Sequence, residues 1–297
     1  MRVTQNYSIQ RLLHQINRSR ERISTLQRDL ATGKQINQIS DAPDKIETVL
    51  RYRTMLKFNH RFEENIENAL DFMHFSSKTL DDAANILATV KQLAVQGADS
   101  TSDDEFDAFV KQLDELLQEM VNLGNTKFKD RYIFGGTNVS TAPFTLAADG
   151  SQVIENPHGI DGKLQVELGQ GKIDPYNVTG QEAFKKNVDV FQTLIDLRDA
   201  FKNRDTAAIT GLIDQVDQAM DQVLQRNASL GAKINRYQLL LDQYHSEDVR
   251  LEAFLSSVED TDLPRAITDL NKEQTALETA LRVLAQTVNI SLVDFIR

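Results

Sequence analysis

The residue types that most often carry out chemistry are sparse in this chain. Its 297 residues include no cysteine, which excludes disulfides, thiol nucleophiles and thiolate metal sites. No two of the five histidines have the spacing that would place both on one metal ion; they are His14, His60, His74, His158 and His245. The spacing therefore predicts no catalytic residue, no metal site and no cofactor.

Two segments have the composition of a ligand site but not its spacing. Residues 169–172 contain two glycines and Lys172, yet they lack the full spacing of a phosphate-binding loop and lie among short β-prone runs. The acidic run at residues 99–107 lacks the alternating ligands and the central glycine of a calcium loop. Ser102 and Glu105 within that run instead match a capping box, which predicts the start of a helix.

Composition narrows the range of partners. The net charge of −11 argues against nucleic acid or an anionic membrane as the main partner, because phosphate binding requires clustered lysine and arginine. The sequence has no apolar run long enough to span a membrane, and its N-terminus lacks the apolar stretch of a secretory signal. These observations predict no nucleic-acid partner and no membrane insertion, and by ordinary routes the protein would stay in the cytoplasm.

The most regular elements are two helices, one at each end of the chain. Apolar residues recur there at heptad spacing, which is typical of a helix that pairs with another helix. Only Ser19 and Gln274 interrupt the two series. The N-terminal series is Ile9, Leu12, Ile16, Ile23, Leu26 and Leu30, and the C-terminal series is Leu263, Ile267, Leu270, Leu277, Leu281, Leu284 and Val288.

Charge favours pairing of these two helices with each other. Residues 1–40 carry seven basic and two acidic side chains, whereas residues 259–297 carry seven acidic and four basic ones. Opposite net charges attract, so we expect the last helix to lie beside the first. Two ordinary amphipathic helices docked separately on a globular core remain the alternative, although both stripes are narrow.

The middle of the chain has a different amino-acid composition. Residues 135–180 contain eight of the thirteen glycines and three of the five prolines among short β-prone runs, which predicts hairpins. The predicted fold is mainly α with an inserted β domain, in which long antiparallel helices form a coiled-coil-like rod. We predict terminal coiled-coil segments at 1–45 and 258–297, rod halves at 46–133 and 188–257, and the β domain at 134–187. We expect residues 140–180 to be replaceable by a short linker.

Three segments resemble the flagellin superfamily. Residues 30–43, which include Gly33, Asn37, Asp41 and Pro43, resemble its N-terminal signature, except that Asp44 and Lys45 replace the Ala-Gly that often follows. Residues 258–262 are similar to the segment that opens its last helix. Residues 227–236 are similar to its C-terminal signature, and the matching positions are Leu230, Gly231, Asn235 and Arg236.

Within the superfamily, residues 123–126, 131–137, 142–144 and 291–296 are most similar to the hook-filament junction branch. That resemblance implies a structural, non-enzymatic adaptor secreted through the flagellar type III channel to the extracellular hook-filament junction. It implies as partners the first hook-associated protein, flagellin, further copies of the chain in a helical layer, and an export chaperone on the C-terminal helix. The two heptad series would then form the assembly interface.

Two alternatives stay open on the sequence. A filament flagellin would polymerise alone into long filaments. A helical sensor or ligand-binding domain would hold a small molecule in its β insertion and would bind that molecule saturably.

Overall fold

The computed structural model describes residues 2–38, 40–99 and 102–296, with side chains described for residue 7 and for residues 9–286 apart from those gaps. Long helices dominate the fold, as predicted. They are α1 (Arg2–Thr32), α2 (Pro43–Ala98), α3 (Asp103–Gly124), α4 (Val190–Lys202), α5 (Thr206–Glu259) and α6 (Leu263–Ile296). A single segment of π-helix at Gln181–Lys185 precedes α4.

The chain divides into two compact units. The terminal unit comprises Met1–Phe58 and Glu247–Arg297, and the central unit comprises Asn59–Ser246. These divisions fall inside α2 and α5 rather than at the predicted positions near residues 45 and 258. Turn residues favour boundaries near 45 and 258, whereas α2 and α5 each continue through the division without a break.

The β region consists of three separate antiparallel hairpins. Their strands are β1 (Lys127–Phe128) with β2 (Arg131–Tyr132), β3 (Phe144–Leu146) with β4 (Val153–Glu155), and β5 (Gln165–Gly169) with β6 (Lys172–Pro175). A two-stranded hairpin is too small to bury a core of its own. Residues of the hairpins and of helices α2 to α5 accordingly belong to one hydrophobic cluster, so residues 134–187 do not form a compact unit of their own.

Phenylalanines join the hairpins to the helices. The Phe144 ring lies 4.7 Å from that of Phe191 on α4, and Phe184 lies 5.0 Å from Phe134 and 5.3 Å from Phe191, centroid to centroid. All four side chains are fully buried. Such ring pairs add stabilisation beyond the area that they bury, so the β region contributes directly to the core of the central unit.

The end of α3 holds β3 through two neighbouring residues. A Cβ at Gly124 would lie 2.7 Å from Phe144 Cδ2, so glycine admits the aromatic ring. Asn125 Nδ2 donates to the Phe144 carbonyl oxygen at 2.7 Å, and Asn125 Oδ1 accepts from the Phe144 N–H at 3.0 Å. The side chain of Asn125 thus pairs with β3 as a neighbouring strand would.

The start of α3 differs from the capping box that the sequence predicts. Ser102 is the N-cap residue, but its side chain makes no capping hydrogen bond. Asp103, Asp104 and Glu105 occupy the first turn, where negative charge interacts favourably with the helix dipole.

Candidate assembly interface

The first and last helices of the chain are paired and antiparallel. Ser19 Oγ on α1 donates to Glu273 Oε2 on α6 at 2.5 Å, and Lys34, just after α1, forms a β-bridge with Asp260, just before α6. The pairing of the N- and C-terminal helices is therefore as predicted. Both helices belong to the terminal unit.

The α1 side of the pair uses the predicted series. Ile16 is buried at 3 % exposure, and the other members are half-buried; they are Ile9, Leu12, Ile23, Leu26 and Leu30. Ser19, the residue that interrupts the series, is itself buried at 5 % exposure. The α1 stripe therefore faces the inside of the terminal unit.

The α6 side is rotated relative to the predicted series. Leu270, Leu277 and Leu284 are half-buried, but Leu263, Ile267 and Leu281 are exposed at 46 %, 50 % and 40 %. Val288 belongs to the predicted series, and its side chain lies outside the described residues. Apart from Asp269, the residues of α6 whose described side chains are buried or half-buried form a different heptad series: Ala266, Leu270, Glu273, Leu277, Ala280 and Leu284.

A polar layer explains this rotation. Apolar burial is non-directional and does not by itself fix the orientation of α6, but the buried Ser19 hydroxyl requires an acceptor. Glu273 supplies that acceptor and also accepts from Arg22 Nη1 at 2.8 Å. The hydrogen bonds from Ser19 and Arg22 lower the pKa of Glu273. One polar pair inside an apolar seam specifies register, and it leaves Leu263, Ile267 and Leu281 outside the paired face.

The motif residues between α1 and α2 build a tight connection. Gly33 ends α1 with a φ of +71°, a conformation that glycine adopts without strain. Asp41 Oδ2 accepts from the backbone N–H of Gln38 at 2.8 Å and of Asn37 at 3.0 Å, and from Arg28 Nη2 at 3.0 Å. These bonds, first that from Gln38, lower the pKa of Asp41. Pro43 then begins α2.

Asn37 completes the connection from the other side. Its Nδ2 donates to Asp29 Oδ1 at 3.1 Å and to the Lys34 carbonyl oxygen at 2.7 Å. The side chain therefore bridges the last turn of α1 and the loop that follows it. Gly33, Asn37, Asp41 and Pro43 thus have a structural explanation within the subunit.

A buried carboxylate ties the end of α5 to this connection. Glu259 is 1 % exposed, and its Oε1 lies 2.6 Å from Lys34 Nζ and also pairs with the Arg53 guanidinium of α2. The backbone of Gln35 donates to the Glu259 carbonyl oxygen at 2.8 Å, and that of Thr261 donates to Gly33 at 2.9 Å. Removing one member of a buried ion pair is strongly destabilising, so this cluster holds α1, α2 and α5 together.

Sequence reasoning missed the role of Glu259. The residue lies in the segment at 258–262 that resembles the superfamily, but spacing alone does not reveal that Lys34 and Arg53 are its partners. These residues are more than 200 positions away along the chain. The sequence shows only a glutamate near a predicted helix end. Its burial depends on the tertiary fold and cannot be read from the sequence.

The residues of the C-terminal signature at 227–236 differ in how far they contact the rest of the central unit. Leu230 is buried at 3 % exposure, and Arg236 pairs with Asp174, which also accepts from the Tyr237 hydroxyl at 2.9 Å. These contacts hold β6 on α5. In contrast, Asn235 is exposed, and a Cβ at Gly231 would meet no described atom within 4 Å.

The structure brings together two histidines that the sequence separates widely. His60 Nδ1 lies 3.1 Å from Glu63 Oε2, and His245 Nε2 lies 3.5 Å from Glu63 Oε1. The side chain of Glu63 is only 8 % exposed. Residues of α2 and α5 meet at this point, and the prediction that no two histidines share one metal ion is not tested by this contact. The two rings contact different oxygens of one carboxylate.

Among the described residues, no helix is long and apolar enough to cross a membrane. Paired terminal helices that leave an apolar stripe exposed, together with a helical unit bearing short hairpins, define a class of helical assembly subunit. Two family models match the chain: the bacterial flagellin N-terminal helical region at residues 3–139, and the bacterial flagellin C-terminal helical region at residues 213–296. The chain belongs to the flagellin family.

Named relatives span nearly the whole chain. The flagellin of Listeria innocua serovar 6a is 22 % identical over 294 residues, covering 96 % of this chain and 95 % of the relative. A flagellar filament 30.7 kDa core protein of Treponema maltophilum is 22 % identical over 260 residues, covering 86 % and 85 %.

Solved structures with the same fold include hook-associated proteins. A putative flagellar hook-associated protein from Vibrio parahaemolyticus matches with a TM-score of 0.68 and 17 % identity, covering 74 % of this chain and all of that one. Flagellar hook associated protein-3 from Legionella pneumophila matches with a TM-score of 0.61 and 15 % identity, covering 71 % and 98 %. At these identities the likeness establishes the fold.

Proposed function

We propose that this protein is a structural adaptor of the bacterial flagellum that joins the hook to the flagellin filament. The observation that carries the proposal is the clamp of Gly124 and Asn125 on Phe144. These residues lie in the segments that resemble the junction branch, and they close the hairpin region onto α3. The fold shared with hook-associated proteins also supports this proposal. The protein acts through packed surfaces and not as an enzyme.

The terminal unit supplies the assembly surface in this proposal. Leu263, Ile267 and Leu281 lie outside the face that pairs with α1, so they are available to the terminal helices of neighbouring copies. Full burial of a leucine or isoleucine side chain contributes roughly 1.5–3 kcal/mol, and these half-exposed side chains would each contribute a part of that. The two heptad series would then form the inner wall of a helical layer, with the paired face joining α1 to α6 and the exposed face joining copies.

The partners follow from that position. One edge of the layer contacts the first hook-associated protein, and the other contacts flagellin. Before assembly, the exposed apolar stripe of α6 requires cover, which suits an export chaperone bound to the C-terminal helix. Export through the flagellar type III channel would deliver the protein to the extracellular hook-filament junction.

Deletion of the gene in its own organism tests the adaptor role. We expect cells to retain hooks, lose attached filaments and release flagellin into the medium, with attachment restored by the wild-type chain. Electron microscopy with labelled protein should then detect a short band between hook and filament. Normal attached filaments in the deletion strain would contradict the proposal.

A filament flagellin is the second candidate, and it is favoured by the flagellin names of the relatives that span the chain. The two functions differ in self-assembly. A flagellin polymerises alone into long filaments, and labelled flagellin is detected along the length of the filament. An adaptor shows neither property. Polymerisation of the purified protein therefore decides between them.

A further inference from the structure

The central unit contains a cleft between α2, the β1–β2 hairpin and the β5–β6 hairpin. Its volume is about 360 Å³, which lies in the range of small-molecule sites. The apolar lining includes Phe72, Phe128 and Tyr176, and the polar lining includes Lys129, Arg131 and Gln165. The cleft therefore combines an aromatic surface with two cations and an amide.

The aromatic rings form a compact group. The Phe72 ring is perpendicular to the Phe128 ring, with centroids 6.0 Å apart, and to the Tyr176 ring, with centroids 5.3 Å apart. Phe72 is buried, whereas Phe128 and Tyr176 are half-buried. A planar or apolar ligand ring entering the cleft would meet this group, and aromatic contacts of that kind are favourable.

Among the described residues, one of the two cations has a close carboxylate and the other does not. Among the described residues, Arg131 forms no ion pair, and Lys129 Nζ lies 3.6 Å from Asp71 Oδ2. The rest of the central unit is strongly acidic, since residues 59–246 carry twenty-nine acidic and seventeen basic side chains. The guanidinium of Arg131 therefore lines the cleft in an acidic unit without a carboxylate partner among the described residues.

The turn that carries these cations is strained. Lys129 has a φ of 47° and Asp130 a φ of 63°, which is the left-handed region at both central positions of the β1–β2 turn. Asn-Gly or Asp-Gly is the usual choice for such a turn. Left-handed non-glycine residues raise the free energy of the folded state and cluster at ligand-binding sites. The strained turn holds Lys129 and Arg131 at the cleft.

Tyr176 provides a hydroxyl donor in the lining of the same cleft. Burial raises the pKa of its hydroxyl, with the nearby positive charge of Arg131 acting against this, so the hydroxyl stays protonated at neutral pH. Within the described part of the chain, this hydroxyl has no hydrogen-bond partner. A ligand oxygen in the cleft would supply one.

We propose that this cleft binds a small organic carboxylate attached to a ring. The ring packs against Phe72, Phe128 and Tyr176, while the carboxylate accepts two hydrogen bonds from the Arg131 guanidinium and one from the Tyr176 hydroxyl. Bidentate arginine-carboxylate pairs are among the stronger hydrogen-bonded contacts. The ring is that of an aromatic acid or of a sugar acid, and the site does not depend on the adaptor role.

Titration calorimetry on the full-length protein tests the site with two probes, benzoate for an aromatic acid and glucuronate for a sugar acid. We expect saturable binding of at least one probe and none of the neutral analogues benzamide and glucose. Arg131→Gln should weaken binding at least tenfold, and Tyr176→Phe should weaken it severalfold. Binding of benzoate alone assigns an aromatic acid, and binding of glucuronate alone assigns a sugar acid.

The control variant is Lys111→Gln, which removes one positive charge from α3 and leaves the cleft intact. We expect it to bind as the wild type does. An equal loss of affinity in Lys111→Gln and Arg131→Gln would overturn the proposal, as would no binding of either acid or equal binding of the neutral analogues. If Arg131→Gln fails to melt cooperatively, Tyr176→Phe decides, and unchanged affinity in that variant overturns the site.

Discussion

At the scale of single residues, polar side chains specify the geometry of the terminal unit. Ser19 interrupts an apolar series and is buried, and its hydroxyl selects Glu273 as acceptor. Glu259 is also buried and joins Lys34 to Arg53. Apolar burial alone is non-directional, so these few polar pairs decide which of several apolar packings is adopted.

The Glu273 layer makes the terminal pair sensitive to acid. Because the folded-state pKa of Glu273 lies below its ordinary value of 4.5, its stabilising effect is present above that value. The effect is lost as the pH falls through the folded-state pKa. We expect Glu273→Gln to lower the melting temperature of the full-length protein at pH 7 and to have a smaller effect at pH 4.

Glu278→Gln is the matched control, since Glu278 is an exposed acid on the same helix. Its effect on the melting temperature should be small at both pH values. An effect of Glu273→Gln that stays constant between pH 7 and pH 4 would show that the carboxylate does not stabilise the pair.

Gly231 provides a second test at residue scale. Glycine inside a helix is less favourable than alanine by about 1 kcal/mol, and a Cβ at this position would meet no described atom within 4 Å. Gly231→Ala should therefore raise the free energy of unfolding by up to about 1 kcal/mol, measured by urea denaturation. Gly97→Ala is the contrasting variant, because its Cβ would lie 2.0 Å from Phe201 Cε1, and it should destabilise the protein. Destabilisation by Gly231→Ala would mean that the position is tightly packed.

At the scale of elements, the hairpins are part of the helical core of the central unit. Phe144, Val153, Ile160, Leu168 and Val178 are buried in the cluster that also includes α2, α3, α4 and α5. We expected residues 140–180 to be replaceable by a short linker, and this packing changes that expectation. Removal of the segment would expose the faces of Phe184 and Phe191 that now contact Phe144.

We now expect the linker replacement to abolish the cooperative melt of the central unit. A milder variant, Phe144→Ala, should lower the free energy of unfolding by about 3–5 kcal/mol, as is typical for a buried phenylalanine. Ile154→Ala is the matched control on the partner strand β4, where the side chain is 50 % exposed, and its effect should stay within about 0.5 kcal/mol. Urea denaturation measures the free energy of unfolding of both point variants. A cooperative melt like that of the wild type in the linker variant would show that the β segment is not part of the core.

At the scale of the whole molecule, charge is unevenly distributed between the two units. The terminal unit carries sixteen basic and fifteen acidic side chains, a net charge of +1, so the central unit with −12 accounts for the negative total of −11. Like charges oppose close packing of copies. The nearly neutral terminal unit, with its exposed apolar stripe, is therefore the part best suited to hold copies together.

The two faces of the terminal pair should respond differently to a charge. Ile16→Asp places an unpaired carboxylate at a position that is 3 % exposed, which carries a large desolvation cost, so it should unfold the α1–α6 pair in the monomer. Leu281→Asp places the same charge at a position that is 40 % exposed and should leave the monomer's helical circular dichroism unchanged. Both variants should be exported and fail to hold filaments.

Circular dichroism of the purified variants and flagellin released into the medium measure these outcomes. Normal filament attachment in cells carrying Leu281→Asp would show that the exposed stripe is not part of the assembly interface. Loss of the α1–α6 pair in purified Leu281→Asp would instead place Leu281 on the paired face.

Local periodicity and turn chemistry were sufficient to predict several features of this protein. Heptad spacing predicted the terminal helices, opposite net charges favoured their pairing, and the glycine-rich middle predicted hairpins. The helices and the hairpins depend on residues that are close in sequence, whereas the pairing was predicted from the apolar stripes and net charges of two distant segments. The role of Gly33, Asn37 and Asp41 in one short connection is likewise a matter of neighbours along the chain.

Other features were decided only by the tertiary structure. An apolar stripe limits the orientation of a helix to a range of angles, and the buried Ser19 selected the angle at which Glu273 faces α1. The burial of Glu259, the packing of the hairpins into the helical core and the cleft beside Arg131 all depend on residues distant in sequence. Their energies arise from desolvation and close contact, which are properties of the assembled fold.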